Sequence, residues 1–188
     1  MRRLSEWIWS RRSGRLALAL LLLTCVLPLA FLPFVRGIEA ATGGLPPFDI
    51  QGFPSPDELL AQLSRWPAEA RALYRWFAAI DFVFPPTFGF GGAFAWAWLL
   101  AKLPAQTAER WVARGLLAVP LLSPACDWVE NLGHLVMLAA GTPELARAAA
   151  HVAVAGKLGK YLGLSLTSVG TLALVVALIR ARAQARPR

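Results

Sequence analysis

Four long apolar stretches, residues 16–34, 77–101, 115–140 and 150–179, alternate with short polar connections. Each is long enough, at 1.5 Å per helical residue, to cross most or all of a hydrocarbon layer about 30 Å thick. The pattern therefore predicts an all-α, four-span transmembrane helical bundle in a single membrane domain. Between the first two spans, over residues 37–68, the pattern changes. Residues 43–53 are punctuated by Gly and Pro and read as a loop. Ser55-Pro56-Asp57-Glu58 then has the chemistry of a helix start, with Ser at the N-cap, Pro in the first turn and Glu three residues on. Leu59, Leu60, Leu63 and Trp66 fall on one face of the helix that follows. Such a periplasmic amphipathic helix either lies flat on the outer membrane surface or lids the bundle. Pro67 ends it. Inside the second span Pro85-Pro86 predicts a kink, and Gly89, Gly91 and Gly92 permit close packing. Trp7, Ile8 and Trp9 suggest a surface segment anchored by tryptophans before the first span.

Composition agrees with this pattern. Of 188 residues, 57% are apolar and 16% are charged, where a soluble domain carries about 25% charge; the mean hydropathy is +0.53. The net charge of +8 suggests a nucleic-acid binder only until the charges are sorted by connection. Arg2, Arg3, Arg11, Arg12, Arg15, Lys102, Arg110, Arg114, Arg180, Arg182, Arg186 and Arg188 fall on one side of a four-span topology. On the other side Arg36, Arg65, Arg71, Arg75 and Arg147 are balanced by Glu39, Asp49, Asp57, Glu58, Glu69 and Glu144. The bias places both termini in the cytoplasm of a bacterial inner membrane and leaves no basic patch for nucleic acid. The first apolar run exceeds the usual core of a secretory signal, which favours an uncleaved helix. Cys25 and Cys126 form no CxxC pair and read as buried thiols.

The polar residues that interrupt the spans carry the candidate chemistry. Asp127, Glu130, Asn131 and His134 form one helical stripe about 100° wide within the third span. An ionisable group at a helix centre costs about 2.5–3.5 kcal/mol in hydrocarbon, so the stripe must face protein, water or a ligand. Gly141-Thr142-Pro143 makes spans three and four antiparallel neighbours. Counting back from that turn sets Asp127 opposite Lys157 and Glu130 opposite Val154, with Lys160 on the face of Lys157. The same arithmetic brings Asp81 of the second span level with Val129 or Glu130. Three acids and a lysine thus converge beneath the Asp49 loop.

Several functions suit such a cluster. It can be an ion-pair network that fixes helix register, centred on Asp127–Lys157. It can be a pocket in which Asp127 or Glu130 acts as general acid or base on a lipid-like substrate, with Lys157 or Asn131 stabilising charge. It can also pass a proton or bind a cation for transport, although no inverted repeat is evident. A metal centre is not expected, because Asp127-x-x-Glu130-x-x-x-His134 has no second copy on another helix, and no cofactor motif is present. The leading expectation is binding, with conversion as an added option, of a small amphipathic or lipid-like molecule. The alternative is a non-catalytic accessory subunit that contacts the bilayer, a larger membrane complex or further copies of itself.

A set of motifs resembles an uncharacterised family of small bacterial four-helix integral membrane proteins. They are Phe48-Asp49-Ile50-Gln51-Gly52-Phe53 before a short helix, Tyr74 followed by Asp81-Phe82-Val83-Phe84-Pro85, Asp127-Trp128-Val129-Glu130-Asn131, and Lys157 in the last span. Asp-x-x-Glu-Asn within a span is the most specific of them, and Phe53 and Phe88 stand where tyrosines are expected. The resemblance runs from Pro46 onward. It implies the four-span topology and a site drawing on Asp49, Tyr74, Asp81, Asp127, Glu130, Asn131 and Lys157, and it implies no particular reaction.

Overall fold

The computed structural model describes residues 1–184, which are helical throughout, with turns and loops between helices and no strand among them. Arg186 and Arg188, counted above with the cytoplasmic charges, lie outside the described residues. Three helical segments, Gly14–Thr42, Ala68–Leu100 and Pro143–Gln184, are long and apolar enough to cross a membrane. A fourth is formed if Ala105–Ala113 and Leu116–Ala139, bent by 54° against each other, count as one span. The described residues divide into two compact units, 1–23, 86–124 and 161–184 in one, 24–85 and 125–160 in the other.

The first unit begins with α1 (Arg2–Ser10) and the start of α2 (Gly14–Val26). In α1 Ile8 is fully buried among Ala17, Phe94, Ala97, Leu100 and Leu117. Arg11 and Arg12 stack over the rings of Trp7 and Trp9. Most of α6 (Phe84–Leu100), α7 (Ala105–Ala113) and the second part of α9 (Pro143–Gln184) complete it. Here the Trp96 indole donates to Thr171 Oγ1 at 2.8 Å. Ser165 and Ser168 bond carbonyls of their own helix, as hydroxyls in apolar helices commonly do.

The second unit holds the polar stripe. Its α3 (Leu32–Thr42) is stopped by Gly43 in the left-handed conformation, φ 75°. The loop then turns through a short 3-10 segment, Phe48–Ile50, into α4 (Pro56–Arg65). The anticipated cap is present: Ser55 Oγ accepts from the Glu58 N–H, and the Glu58 carboxylate accepts from the Ser55 N–H at 2.6 Å. The apolar face of α4 packs inward. Leu59, Leu63 and Trp66 are buried with Phe48, Tyr74 and Ile38.

The second span also differs from expectation. Rather than a kink centred on Pro85-Pro86, α5 (Ala68–Asp81) ends, Phe82 and Val83 turn, and α6 begins at Phe84. The two prolines occupy the first turn of α6, where their missing N–H groups cost no helical bond. The Phe82 carbonyl at this break accepts from the Trp128 indole at 3.0 Å, so it does not open onto a cavity.

Candidate functional site

α8 (Leu122–Ala139) carries Asp127, Glu130, Asn131 and His134, and all four are buried. Opposite runs the first half of α9, whose glycines allow the two backbones to touch. A Cβ added at Gly156 would collide with the Glu130 backbone, and one at Gly133 would lie 2.6 Å from the Ala153 nitrogen. Lys160 Nζ bridges Asp127 Oδ1 at 2.7 Å and Glu130 Oε2 at 2.5 Å, while Lys157 Nζ lies 3.3 Å from Glu130 Oε1. The ion pairs are therefore shifted by three residues, almost one turn, from the expected Asp127–Lys157 pairing. Gly156 sets the backbone register, and helical side chains lean toward their own N-terminus, so each lysine reaches past its level partner to the next acid. Lys160, expected as an auxiliary, is the bridging cation.

Lys157 does something that helix spacing alone could not reveal. Its ammonium donates to the carbonyl oxygens of Phe48, Gln51 and Gly52 at 2.8, 3.1 and 3.2 Å. All three belong to the loop before α4. A buried cation thus ties this loop down onto the acid stripe. Phe48 is driven into the core at the same place, stacked 4.2 Å from Trp66 and 5.4 Å from His134, centroid to centroid. Gln51 adds side-chain bonds to Pro46 O and to Gln62.

Asp49 sits on the inner side of the loop, 9% exposed. Tyr74, fully buried on α5, donates to Asp49 Oδ2 at 2.5 Å, and His134 Nδ1 is 3.5 Å from Asp49 Oδ1. Burial alone would raise the Asp49 carboxyl, but the His134 imidazole, the Tyr74 hydroxyl and Lys160 together bring it down to about 2. Asp81, at the end of α5, accepts from Asn131 Nδ2 at 2.9 Å. The structure therefore gathers every residue singled out from the sequence, Asp49, Tyr74, Asp81, Asp127, Glu130, Asn131, His134, Lys157 and Lys160, within one unit.

Hydrogen bonding in this centre is incomplete. Asp49 Oδ1, Asn131 Oδ1 and His134 Nδ1 are buried without a hydrogen-bond partner. The Glu130 oxygens have ion-pair neighbours in the two lysines but no well-angled hydrogen bond. One donor atom each from Asp49, Glu130 and His134 lies within 4.8 Å of the other two, so these three could hold a metal ion. Phe48 stood in the motif singled out and Trp66 on the apolar face of the expected helix, but their stacking at the site and the loop carbonyls held by Lys157 were not anticipated. Their one local signal is a pair of bulky apolar residues, Phe48 and Ile50, inside an otherwise Gly- and Pro-rich segment. Comparison with protein-family models, with curated proteins and with solved structures finds no match to this chain.

Proposed function

We propose that the chain is a multi-pass protein of the bacterial inner membrane, with cytoplasmic termini, whose acid–lysine centre binds a small amphipathic or lipid-like molecule. One observation carries the reading: Asp49 Oδ1, Asn131 Oδ1 and His134 Nδ1 are buried without a hydrogen bond, the first and last meeting only as an ion pair at 3.5 Å. Leaving such atoms unmade costs about 1–3 kcal/mol each, a penalty that a polar headgroup would remove.

The route in runs through the loop, whose outer side chains Ile50 and Phe53 are exposed while its carbonyls are held by Lys157. Opening requires that these three bonds, the Tyr74–Asp49 bond and the Gln51–Gln62 bond release together and that Phe48 leave its stack on Trp66. Asp127 and Glu130, joined through Lys160, are placed to move a proton should the molecule be converted. Lys157, with its hydrogens committed to the loop, holds the closed state.

The test is to purify the wild type and Asp127→Asn in mild detergent, extract both with organic solvent and compare the extracts by mass spectrometry. A defined amphipathic species present with wild type and absent with the variant supports the reading. Identical extracts from two folded proteins overturn it and favour a purely structural ion-pair network.

A further inference from the structure

We propose that Asp49, Glu130 and His134 form a site for one divalent first-row cation of the zinc and manganese class. The three come from two distant segments, Asp49 from the loop and Glu130 and His134 from α8, four residues apart and so on one helical face. Ligand atoms around one such ion, at bonds of about 2.1 Å, lie up to about 4.2 Å apart. The three side chains already offer atoms within 4.8 Å of one another, and Asp49 Oδ1 and His134 Nδ1 are 3.5 Å apart. Inward movement of less than about an ångström closes the set.

Unused donor capacity points the same way. His134 Nδ1 and Asp49 Oδ1, on side chains 2% and 5% exposed, have no hydrogen-bond partner and face each other. Tyr74 holds Asp49 through Oδ2, which leaves Oδ1 turned toward His134, as an outer-shell partner does for a metal-binding carboxylate. Glu130 engages the two lysines, yet each of its oxygens has a second lone pair.

Charge balance supplies an independent reason. Asp49, Asp81, Asp127 and Glu130 bring four carboxyl groups, against the two ammonium groups of Lys157 and Lys160. With all four ionised, the carboxyl groups exceed the two ammonium groups by two charges, and isolated buried charge is strongly unfavourable. One divalent ion cancels this; the competing solution is two bound protons. A nitrogen and two carboxylate ligands suit zinc, manganese or ferrous iron rather than a soft copper(I) site. An ion here would satisfy Asp49 Oδ1 and His134 Nδ1 and leave Asn131 Oδ1 as the atom open to an amphipathic ligand.

The experiment uses the full chain purified in detergent through a histidine-free tag and stripped with EDTA. Zn²⁺ and Mn²⁺ are titrated separately, and protein-bound metal is counted after gel filtration. Wild type is expected to retain about one equivalent of at least one ion. His134→Gln and Asp49→Asn are expected to bind at least about ten-fold more weakly, while His151→Gln, which alters an exposed histidine, binds as wild type. Tyr74→Phe keeps all three ligands but frees Asp49, and should also weaken binding about ten-fold, which preserves the test if a ligand variant aggregates. Absence of bound metal in wild type, or binding by the His134 and Tyr74 variants as tight as that of wild type, overturns the proposal in favour of bound protons. Because bound metal is counted directly, failure here leaves the result of the extraction experiment untouched.

Discussion

Replacing Lys157 by Met removes the cation that hydrogen-bonds the loop carbonyls above the acid stripe, at nearly constant side-chain length. Lys157 Nζ has four acceptors within 3.3 Å, three loop carbonyls and Glu130 Oε1, and its side chain is 4% exposed. Breaking a buried ion pair by removing one partner costs about 3–5 kcal/mol. Lys160 still lies 2.5 Å from Glu130 Oε2, so the residual carboxylate is not isolated and the lower end applies. A loss of about 3 kcal/mol in a chain of this size corresponds to a fall in Tm of roughly 6–12 °C. The second variant, Lys157→Met with Glu130→Gln, removes the charge that the first leaves exposed to poor solvation. Its cost should fall short of the sum of the single costs by about 2 kcal/mol. Thermal unfolding in detergent gives the energies, and hydrogen exchange of residues 46–53 reports the loop, which should exchange much faster in the single variant. A Lys157→Met protein that melts with wild type and keeps its loop protected would refute the role given to this lysine, as would strict additivity in the double variant.

Other substitutions probe other parts of the same unit. Gly156→Ala places a methyl against the Glu130 backbone, which cannot swing aside as a side chain can, and should lower stability by about 1–3 kcal/mol. Gly141→Ala meets open space and should stay within about 0.5 kcal/mol of wild type by the same melting assay. Ser55→Ala deletes one half of the capping box and should cost about 1 kcal/mol, read as faster amide exchange in α4. The backbone and side-chain bonds from Ser55 hold the Glu58 carboxyl below its ordinary 4.5. A group depressed in the folded state stabilises above its unfolded pKa and loses that contribution as pH falls through its folded value. Protection of the α4 amides, corrected for the pH dependence of intrinsic exchange, should therefore fall on acidification below about pH 4.5, and Glu58→Gln should flatten that fall.

Much of this centre was legible because membrane helices leave few places for charge. Asp127, Glu130, Asn131 and His134 could share a stripe only by helical periodicity, and hydrocarbon forbids that stripe an outward face. The Gly141–Pro143 turn then made α9 the neighbour and Lys157 and Lys160 the available cations. The register slipped by nearly a turn because residue counting treats side chains as perpendicular to the axis, whereas a lysine spans several ångströms along it. Gly156 and Gly133 carried the true register, but a glycine in an apolar helix does not announce which backbone it touches. The loop was least legible. Its hold on the site is through the backbone carbonyls of Phe48, Gln51 and Gly52, which every residue has and no sequence pattern marks. The break before Pro85-Pro86 was placed in the right region, yet whether two prolines kink a helix or begin one depends on what caps the freed carbonyl, here Trp128 from 46 positions away.

The measurement that bears most directly on the site is native mass spectrometry of the wild-type chain released from detergent, beside Asp127→Asn and Asn131→Leu, with circular dichroism to establish that all three are folded. Binding in the acid–lysine centre predicts one small-molecule adduct per wild-type chain and its loss from both variants. Bare chains in all three cases, or an adduct that survives both substitutions, would contradict it.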